Sequence, residues 1–327
     1  MISRRSILRL SLAAGAALSI LSMNAGGAMA QAGKLDIIAP AAPGGGWDQV
    51  ARAMQAVLQD GGLASPVQVQ NIPGAGGTIG LAQFVSSKAR SGDTVMVAGL
   101  VMEGAILANE SPVSFDDIKP LARLIGEYEV VVAPTDSDIK SVDDLVAKLK
   151  ADPGSVSWGG GSAGGTDHML AGLVAKAVGV DPSGVNYIAH SGGGEAMASI
   201  LGGHVSVGVS GYQEFAAQIE SGELRAIAIS SDERVEGLDI PTFKEQGVDV
   251  SLTNWRGLLA PARIDDDDFE TLSALVAQMV ETPAWQEVLS SRGWLAMYQP
   301  AEEFTAFLEE DQAQTEAILK DIGLIAD

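Results

Sequence analysis

Glycine-rich turns are the parts of this sequence best suited to chemistry. Five of them stand between an apolar run and a helical pattern, at residues 43–46, 74–77, 159–165, 190–194 and 210–211. A helix N-terminus offers about four unpaired N–H groups and about half a positive charge, and glycine lets a ligand come close to the backbone. Such turns predict a site that holds an anion, for example a carboxylate, with neutral donors. Each turn taken singly also fits a plain connection in an α/β fold.

The third turn has, in addition, the form of a dinucleotide-binding fingerprint. Gly159, Gly161 and Gly164 have the required spacing after an apolar run, and Asp181 follows at a suitable distance. The motif lies in mid-chain, whereas such fingerprints usually follow the first strand of the fold. An NAD-dependent enzyme therefore stays an alternative to a binding protein.

The same turn also resembles the nucleophile elbow of hydrolases. Gly160, Ser162 and Gly164 match its pattern, and Ser162 would be the nucleophile. The histidines that follow, His190 and His204, come much sooner after the serine than the base of that fold normally does. An exported serine hydrolase is a second enzymatic alternative.

Composition limits the other classes of function. The chain has 327 residues and a net charge of −22, which argues against nucleic acid and against anionic membrane surfaces. It has no cysteine and only three histidines, which lack the spacing of a metal site, so we expect no metal and no cofactor. Neutral backbone donors explain how so acidic a protein can hold an anion.

The first thirty residues predict an export signal. Arg4, Arg5 and Arg9 precede an apolar stretch from Leu10, and a small-x-small cleavage site ends at Ala30. The paired arginines fit a twin-arginine signal as well as an ordinary one, so either route stays open. We therefore expect a periplasmic protein from residue 31 onward, and loss of three arginines takes its net charge from −22 to −25.

Alternation of strand-like and helical patterns predicts an α/β fold with mainly parallel sheets. Leu35 to Ala39 and Val130 to Ala133 are examples of the short apolar runs, and Asn254 to Pro261 indicates a late strand. Trp47 begins a helix with one apolar face. Trp47 and Trp255 could shape a pocket wall, although packing in the core is the better interpretation. No Pro- or Ser-rich linker divides the chain. If the chain forms two domains, we therefore expect it to cross between them more than once.

Taken together, these motifs closely resemble the solute receptors of tripartite tricarboxylate transporters, also called the Bug family. The resemblance covers the chain from residue 31 and rests on segments that occur in the family's order and spacing. They are Pro43 to Asp48 with Ala51 and Arg52, Asn71 to Gly80, Gly161 to His168, Ser191 to Glu195, Leu201 to Val205, and Asn254 to Pro261.

The resemblance implies a Venus-flytrap fold of the periplasmic binding proteins, type II-like, with a central cleft between two domains. It places domain 1 at residues 31–128 plus 254–327 and domain 2 at residues 129–253, with crossovers near Glu129 and Asn254. Loops of both domains would pinch a carboxylate, without catalysis. The implied ligand-binding residues are Pro43, Gly44, Gly45, Gly46, Trp47, Asp48, Gly74, Ala75, Gly76, Gly77, Thr78, Ser162, Ala163, Gly164, Gly165, Thr166, His168, Ser191, Gly192, Ser210 and Gly211.

The resemblance also implies partners. Trp47 and the segment from Ser191 to Glu195 are similar to the branch named for tricarboxylates, which favours a di- or tricarboxylate such as citrate. We expect a monomer that serves the large and small membrane subunits of the transporter. A receptor that reports ligand to a two-component sensor kinase has the same sequence features and stays open.

Overall fold

Strands that lead through a short turn into a helix make up most of the fold. The computed structural model describes residues 33–190 and 193–326, so the predicted signal peptide and the candidate residues Ser191 and Gly192 lie outside the described residues. The strands are β1 Leu35–Ala39, β2 Val67–Asn71, β3 Thr94–Gly99, β4 Ile118–Pro134, β5 Ser157–Gly160, β6 Asn186–Ala189, β7 Val207–Gly211, β8 Leu224–Ile229, β9 Thr253–Pro261 and β10 Leu295–Pro300. The α-helices are α1 Gly46–Asp60, α2 Thr78–Ser87, α3 Leu100–Ala108, α4 Val142–Ala151, α5 Thr166–Ala177, α6 Gly193–Leu201, α7 Tyr212–Ser221, α8 Asp266–Val280, α9 Pro283–Arg292 and α10 Ala301–Asp321.

The strands are joined in one path, β2-β1-β3-β9-β4-β7-β5-β6, and β8 and β10 also pair with β4. β1 is parallel to β2 and β3, and β5 is parallel to β6 and β7. β9 is antiparallel to β3 and to β4, and β4 is antiparallel to β7, β8 and β10. The α/β prediction is confirmed. The expectation of mainly parallel sheets is wrong for the middle of the path, where the returning strand β9 runs against its neighbours.

Strand β4 lies in the middle of this path and pairs with strands of both halves. Tyr128 pairs with Thr253 of β9, whereas the next residue, Glu129, pairs with Gly211 of β7. The apolar pattern predicts only Val130 to Ala133 of this strand, because Gly126 and the charged Arg123 interrupt the run before it. The change of partner falls beside the expected crossovers, and the division into two domains itself stays a prediction.

Apolar side chains fill three buried clusters on the two sides of this change. The first draws on residues up to Ile125 and from Trp255 onward, with Met169 as a contribution from α5. The second and third draw on residues 130 to 250, around Trp158 and Phe215 respectively. Burying one such side chain stabilises a fold by about 1.5–3 kcal/mol, so either side has a core of its own. Trp255 lies in the first core against Phe304 and Phe307, in agreement with its interpretation as a packing residue.

Ser230 ties the strand that leaves the first core to the chain that returns to it. The side chain is fully buried, and its hydroxyl accepts the N–H of Glu129 at 3.0 Å and donates to the carbonyl of Leu252 at 2.6 Å. We expect Ser230→Ala to lower the free energy of unfolding by about 1–3 kcal/mol, because a buried N–H and a buried carbonyl lose their partner.

Urea unfolding of the two proteins measures this loss. Ser221→Ala serves as the matched control, because Ser221 is exposed and its hydroxyl bonds to near neighbours in the chain, the carbonyl of Gln218 and the carboxylate of Glu223. Equal stability of Ser230→Ala and Ser221→Ala would contradict the role assigned to Ser230.

Candidate functional site

The glycine turns surround one cavity of about 620 Å³. Because the turns follow the carboxyl ends of their strands, they meet at neighbouring positions of the sheet and leave a crevice between them. The cavity is lined by these residues of the predicted set: Pro43, Gly44, Gly45, Gly46, Trp47, Gly74, Ala75, Gly76, Gly77, Ser162, Thr166, Ser210 and Gly211. Their part in ligand binding stays a prediction.

Several helices begin at this cavity without a side-chain cap. The N-caps of α1, α2, α5 and α7 are all glycine, so the N-cap residue has no side chain that could bond to the first turn. In α1 the N–H of Gly46 is already bonded to Glu214, and the remaining N–H groups of the first turn are left. By contrast, Ser141 caps α4 and Thr282 caps α9, which begin elsewhere. Uncapped helices leave N–H groups of the first turn for another acceptor, so these four helices suit an anion.

Asp48 fixes the first turn of α1 instead of facing the cavity. Its carboxylate accepts the N–H of Gly44 at 2.8 Å, Nε of Arg52 at 2.9 Å and Nδ2 of Asn71 at 2.8 Å. Burial acts against the charge, yet these hydrogen bonds together lower the pKa of Asp48 below its ordinary value. The turn and the end of β2 are thereby held as a preformed wall.

The turn after β2 can be built only with small residues. Gly76 and Gly77 have φ of 61° and 91°, a region that side chains disfavour. A Cβ on Gly76 would lie 2.3 Å from Cβ of Ala105, and one on Gly77 would lie 2.8 Å from the ring of Trp47. The backbone therefore forms the surface of this wall, and its shape leaves N–H groups accessible to a ligand.

The opposite wall presents hydroxyl groups. Ser162 and Thr166 lie at the start of α5, and Ser210 lies at the end of β7. Within the turn before α5, the N–H of Gly161 donates to Asp167 at 2.6 Å, and the hydroxyl of Tyr187 donates to the carbonyl of Gly161 at 3.0 Å. These bonds hold the turn open towards the cavity.

Three carboxyl groups that the sequence analysis did not select line the cavity next to these hydroxyl groups. They belong to Glu129, Asp167 and Glu214 and are called the floor of the cavity. Burial raises the pKa of Glu129 well above its ordinary value, and the charge of Asp167 adds to the effect. Burial raises the pKa of Asp167 to about 6, against the hydrogen bond from Gly161, and raises that of Glu214 to about 7 with the help of the Asp167 charge. Glu214 also bonds to the hydroxyl of Ser210 and to the N–H of Gly46. The floor is therefore a cluster of acids that resist ionising together.

An ion pair lies beside this floor. Arg256 of β9 is buried, and its guanidinium bonds to the carboxylate of Glu127 and donates to the carbonyl of Gly46 at 3.0 Å. On the neighbouring strand positions, Nδ2 of Asn254 donates to Oε1 of Glu129 at 2.8 Å. The pair joins β4 and β9 to the start of α1, and it leaves Arg256 with its charge already compensated.

Six predicted residues do not line the cavity, and local bonding explains their positions. They are Asp48, Thr78, Ala163, Gly164, Gly165 and His168. Thr78 donates its hydroxyl to the carbonyl of Ala75 at 2.8 Å, so Gly77 and not Thr78 is the N-cap of α2. His168 stacks on Tyr187 at 4.1 Å between ring centroids, and burial lowers its pKa to about 4. The neutral ring therefore supports the turn from behind, where Nδ1 accepts the N–H of Gly164.

The polar residues that the sequence analysis missed include three from strands and two from helices. Glu129, Asn254 and Arg256 line the cavity from β4 and β9, and Asp167 and Glu214 line it from the first turns of α5 and α7. Asp167 and Glu214 had a detectable sign, because each follows a glycine turn at the start of a helix. The strand residues lay at the expected crossovers, near Glu129 and in the segment from Asn254 to Pro261, but their place in the site depends on pairing between distant segments.

The described residues hold no cluster of three or more acidic or histidine side chains arranged to bind a metal ion. In that part of the chain no helix has the length and apolar character needed to cross a membrane. Among the described residues no hydrogen bond joins a histidine to Ser162; His168 bonds to Gly164 and His190 to Gly160.

Comparison with known proteins decides the family. The sequence model described as the tripartite tricarboxylate transporter family receptor matches residues 50–324. The chain belongs to this family. Its members are solute-binding receptors and not enzymes, so neither enzymatic alternative describes the family.

Individual relatives agree with this assignment. The "UPF0065 protein in gbd 5'region" of Cupriavidus necator is 30% identical over 266 residues, which cover 80% of this chain and 79% of that protein. Protein BugT of Bordetella pertussis is 28% identical over 297 residues, which cover 88% of this chain and 89% of BugT. The structure of MatC from Rhodopseudomonas palustris with bound malate has the same fold, with a TM-score of 0.78, 22% identity and coverage of 88% and 99% of the two chains.

The bonding of Asp48 predicts a loss of stability in acid. A lowered pKa means that the ionised carboxylate stabilises the fold above the unfolded pKa of about 3.9, and that this contribution disappears as pH falls through the folded pKa. We expect Asp48→Asn to lower the free energy of unfolding by about 1–3 kcal/mol at pH 7, because its amide N–H groups face donors. Below about pH 4 the difference should shrink, because the unfolded state then binds a proton that the native carboxylate resists, and the native carboxylate itself is protonated only at lower pH.

Urea unfolding at pH 7 and pH 3 tests this expectation. Asp60→Asn is the control, because Asp60 lies on the exposed end of the same helix. A deficit of Asp48→Asn that is as large at pH 3 as at pH 7 would show that the charge is not responsible.

Proposed function

We propose that this receptor captures a small carboxylate outside the cytoplasmic membrane and delivers it to a tripartite tricarboxylate transporter. The observation that carries the proposal is the cavity of about 620 Å³ at which four helices begin without a side-chain cap. Unpaired N–H groups and helix dipoles favour an anion there, and they do so without a lysine.

Membership of the receptor family supports the proposal. MatC holds malate, so one protein of this fold accommodates a carboxylate. The large and small membrane subunits of the transporter are the partners that we propose, and the predicted signal peptide would deliver a monomer to the periplasm. The preference for a di- or tricarboxylate such as citrate is a separate hypothesis that the same experiment addresses.

A thermal-shift screen of the purified protein tests capture. We expect at least one small carboxylate to raise the melting temperature, because a ligand at a hundred times its Kd adds about 2.7 kcal/mol to stability. The panel contains citrate, other di- and tricarboxylates, monocarboxylates and amino acids, with NAD as the probe of the dinucleotide fingerprint. Stabilisation by NAD alone would overturn the proposal.

Ser162→Ala tests the place of binding. Loss of a hydrogen bond from the second wall should weaken the affinity by about 1–3 kcal/mol without unfolding the protein. Calorimetric titration measures the change, and Ser290→Ala on an exposed turn of α9 is the matched control. An unchanged affinity in Ser162→Ala would show that the ligand does not bind to the hydroxyl of Ser162 on this wall.

A further inference from the structure

The two walls of the cavity differ in charge. Among the described residues, four carboxyl side chains line it, Glu129, Asp167, Glu195 and Glu214, and Arg256 is the one lining residue with a permanent positive charge. That guanidinium is already bonded to Glu127 and to the carbonyl of Gly46. The first wall offers N–H groups to an anion, whereas the second wall has an excess of negative charge.

The floor between the walls also lacks hydrogen-bond donors. Oδ1 of Asn254 is a buried acceptor without a hydrogen bond from the described residues, and Asn254 is 4% exposed. Its amide is oriented by Glu129, whose Oε1 accepts Nδ2 at 2.8 Å. The carboxyl group of Glu129 also bonds to that of Asp167, so these two acids share a proton. Oδ1 of Asn254 therefore needs a donor, which a second carboxylate cannot supply.

We propose that the ligand is a zwitterion, whose carboxylate lies against the N-termini of α1 and α2 on the first wall and whose protonated amine or guanidinium lies against Glu214 and Asp167 on the second wall. This inference rests on the proposed function, because it needs capture of a carboxylate in the same cavity. It selects amino-carboxylates over the di- and tricarboxylates that the sequence resemblance favours. A cation replaces the protons that the acids otherwise need, whereas a further carboxylate would add to the repulsion among them.

The titration of the floor is consistent with this assignment. Burial raises the pKa of Glu214 to about 7, and the charge of Asp167 contributes to that rise. The groups that face Glu214 include Asp167 of α5, Glu129 of β4, Ser210 of β7 and the N–H of Gly46 at the start of α1. A bound cation would lower these pKa values, so binding should release protons near neutral pH, whereas a bound dicarboxylate should take protons up.

Calorimetric titration with matched pairs of ligands tests the inference. Each pair joins a straight-chain ω-amino acid to the dicarboxylate of equal chain length, such as 4-aminobutanoate with succinate and 5-aminopentanoate with glutarate. The α-amino acids form a second set. At pH 7.5 we expect an amino acid to bind at least tenfold more tightly than any dicarboxylate, and we expect proton release when buffers of different ionisation enthalpy are compared.

Glu214→Gln separates charge from shape. We expect the ratio of the affinities for the amino acid and for the matched dicarboxylate to fall at least tenfold in this variant. We expect the same ratio to fall in Asp167→Asn as well. Glu220→Gln, on an exposed position of α7, is the matched control and should keep the native preference. Thermal unfolding of each variant without ligand confirms that it is folded.

The outcomes distinguish the two proposals. Tighter binding of a dicarboxylate or citrate, equal affinity within every pair, or proton uptake on binding would overturn the zwitterion while leaving carboxylate capture intact. An amino acid preference that survives in both Glu214→Gln and Asp167→Asn would also overturn it. Failure of every carboxylate, zwitterionic or not, to bind would overturn the proposed function itself.

Discussion

The burial of charge where β4 meets β9 is the constraint on which the rest of this structure depends. Side chains alternate along a strand, so Glu127 and Glu129 lie on one face of β4, and Asn254 and Arg256 share a face of β9. A charge taken from water costs several kcal/mol unless it finds a partner of opposite sign or a hydrogen bond. The side chains of the two strands offset this cost by bonding in pairs: Arg256 bonds to Glu127, and Asn254 bonds to Glu129. The guanidinium also holds the carbonyl of Gly46, so the same pairing sets where α1 begins.

Much of the first wall follows from the sequence because it is built locally. An apolar run, a glycine turn and a helix face of period 3.6 lie within some twenty residues, and each glycine marks a backbone conformation that other residues disfavour. The same reasoning misplaces side chains whose direction is decided by a bond. Asp48 and His168 occur in the right loops, yet one holds its own turn and the other stacks on Tyr187.

The second wall could not be predicted in this way. Glu129 and Asn254 are 125 residues apart in the chain, and no local pattern indicates that their side chains bond. The greater part of β4 was missed for a related reason. Its charged residues interrupt the apolar run that normally marks a buried strand, and one of them, Glu129, lines the cavity. A residue that breaks the apolar pattern of a strand can therefore belong to the site. Its role becomes visible only when the pairing of distant strands is known.

The glycine walls have a consequence for how such a receptor can change over evolutionary time. N–H groups of the backbone are present for every residue except proline, so most single substitutions keep them, and the tight packing of Gly76 and Gly77 excludes larger residues. We therefore expect changes in ligand specificity to arise in the opposite wall. There, a change of one nucleotide in a codon can turn an acidic residue into a neutral or basic one. Geometry constrains the glycine turns of the first wall, whereas the acidic side chains of the second wall can be exchanged, so a single scaffold could acquire new ligands without rebuilding those turns.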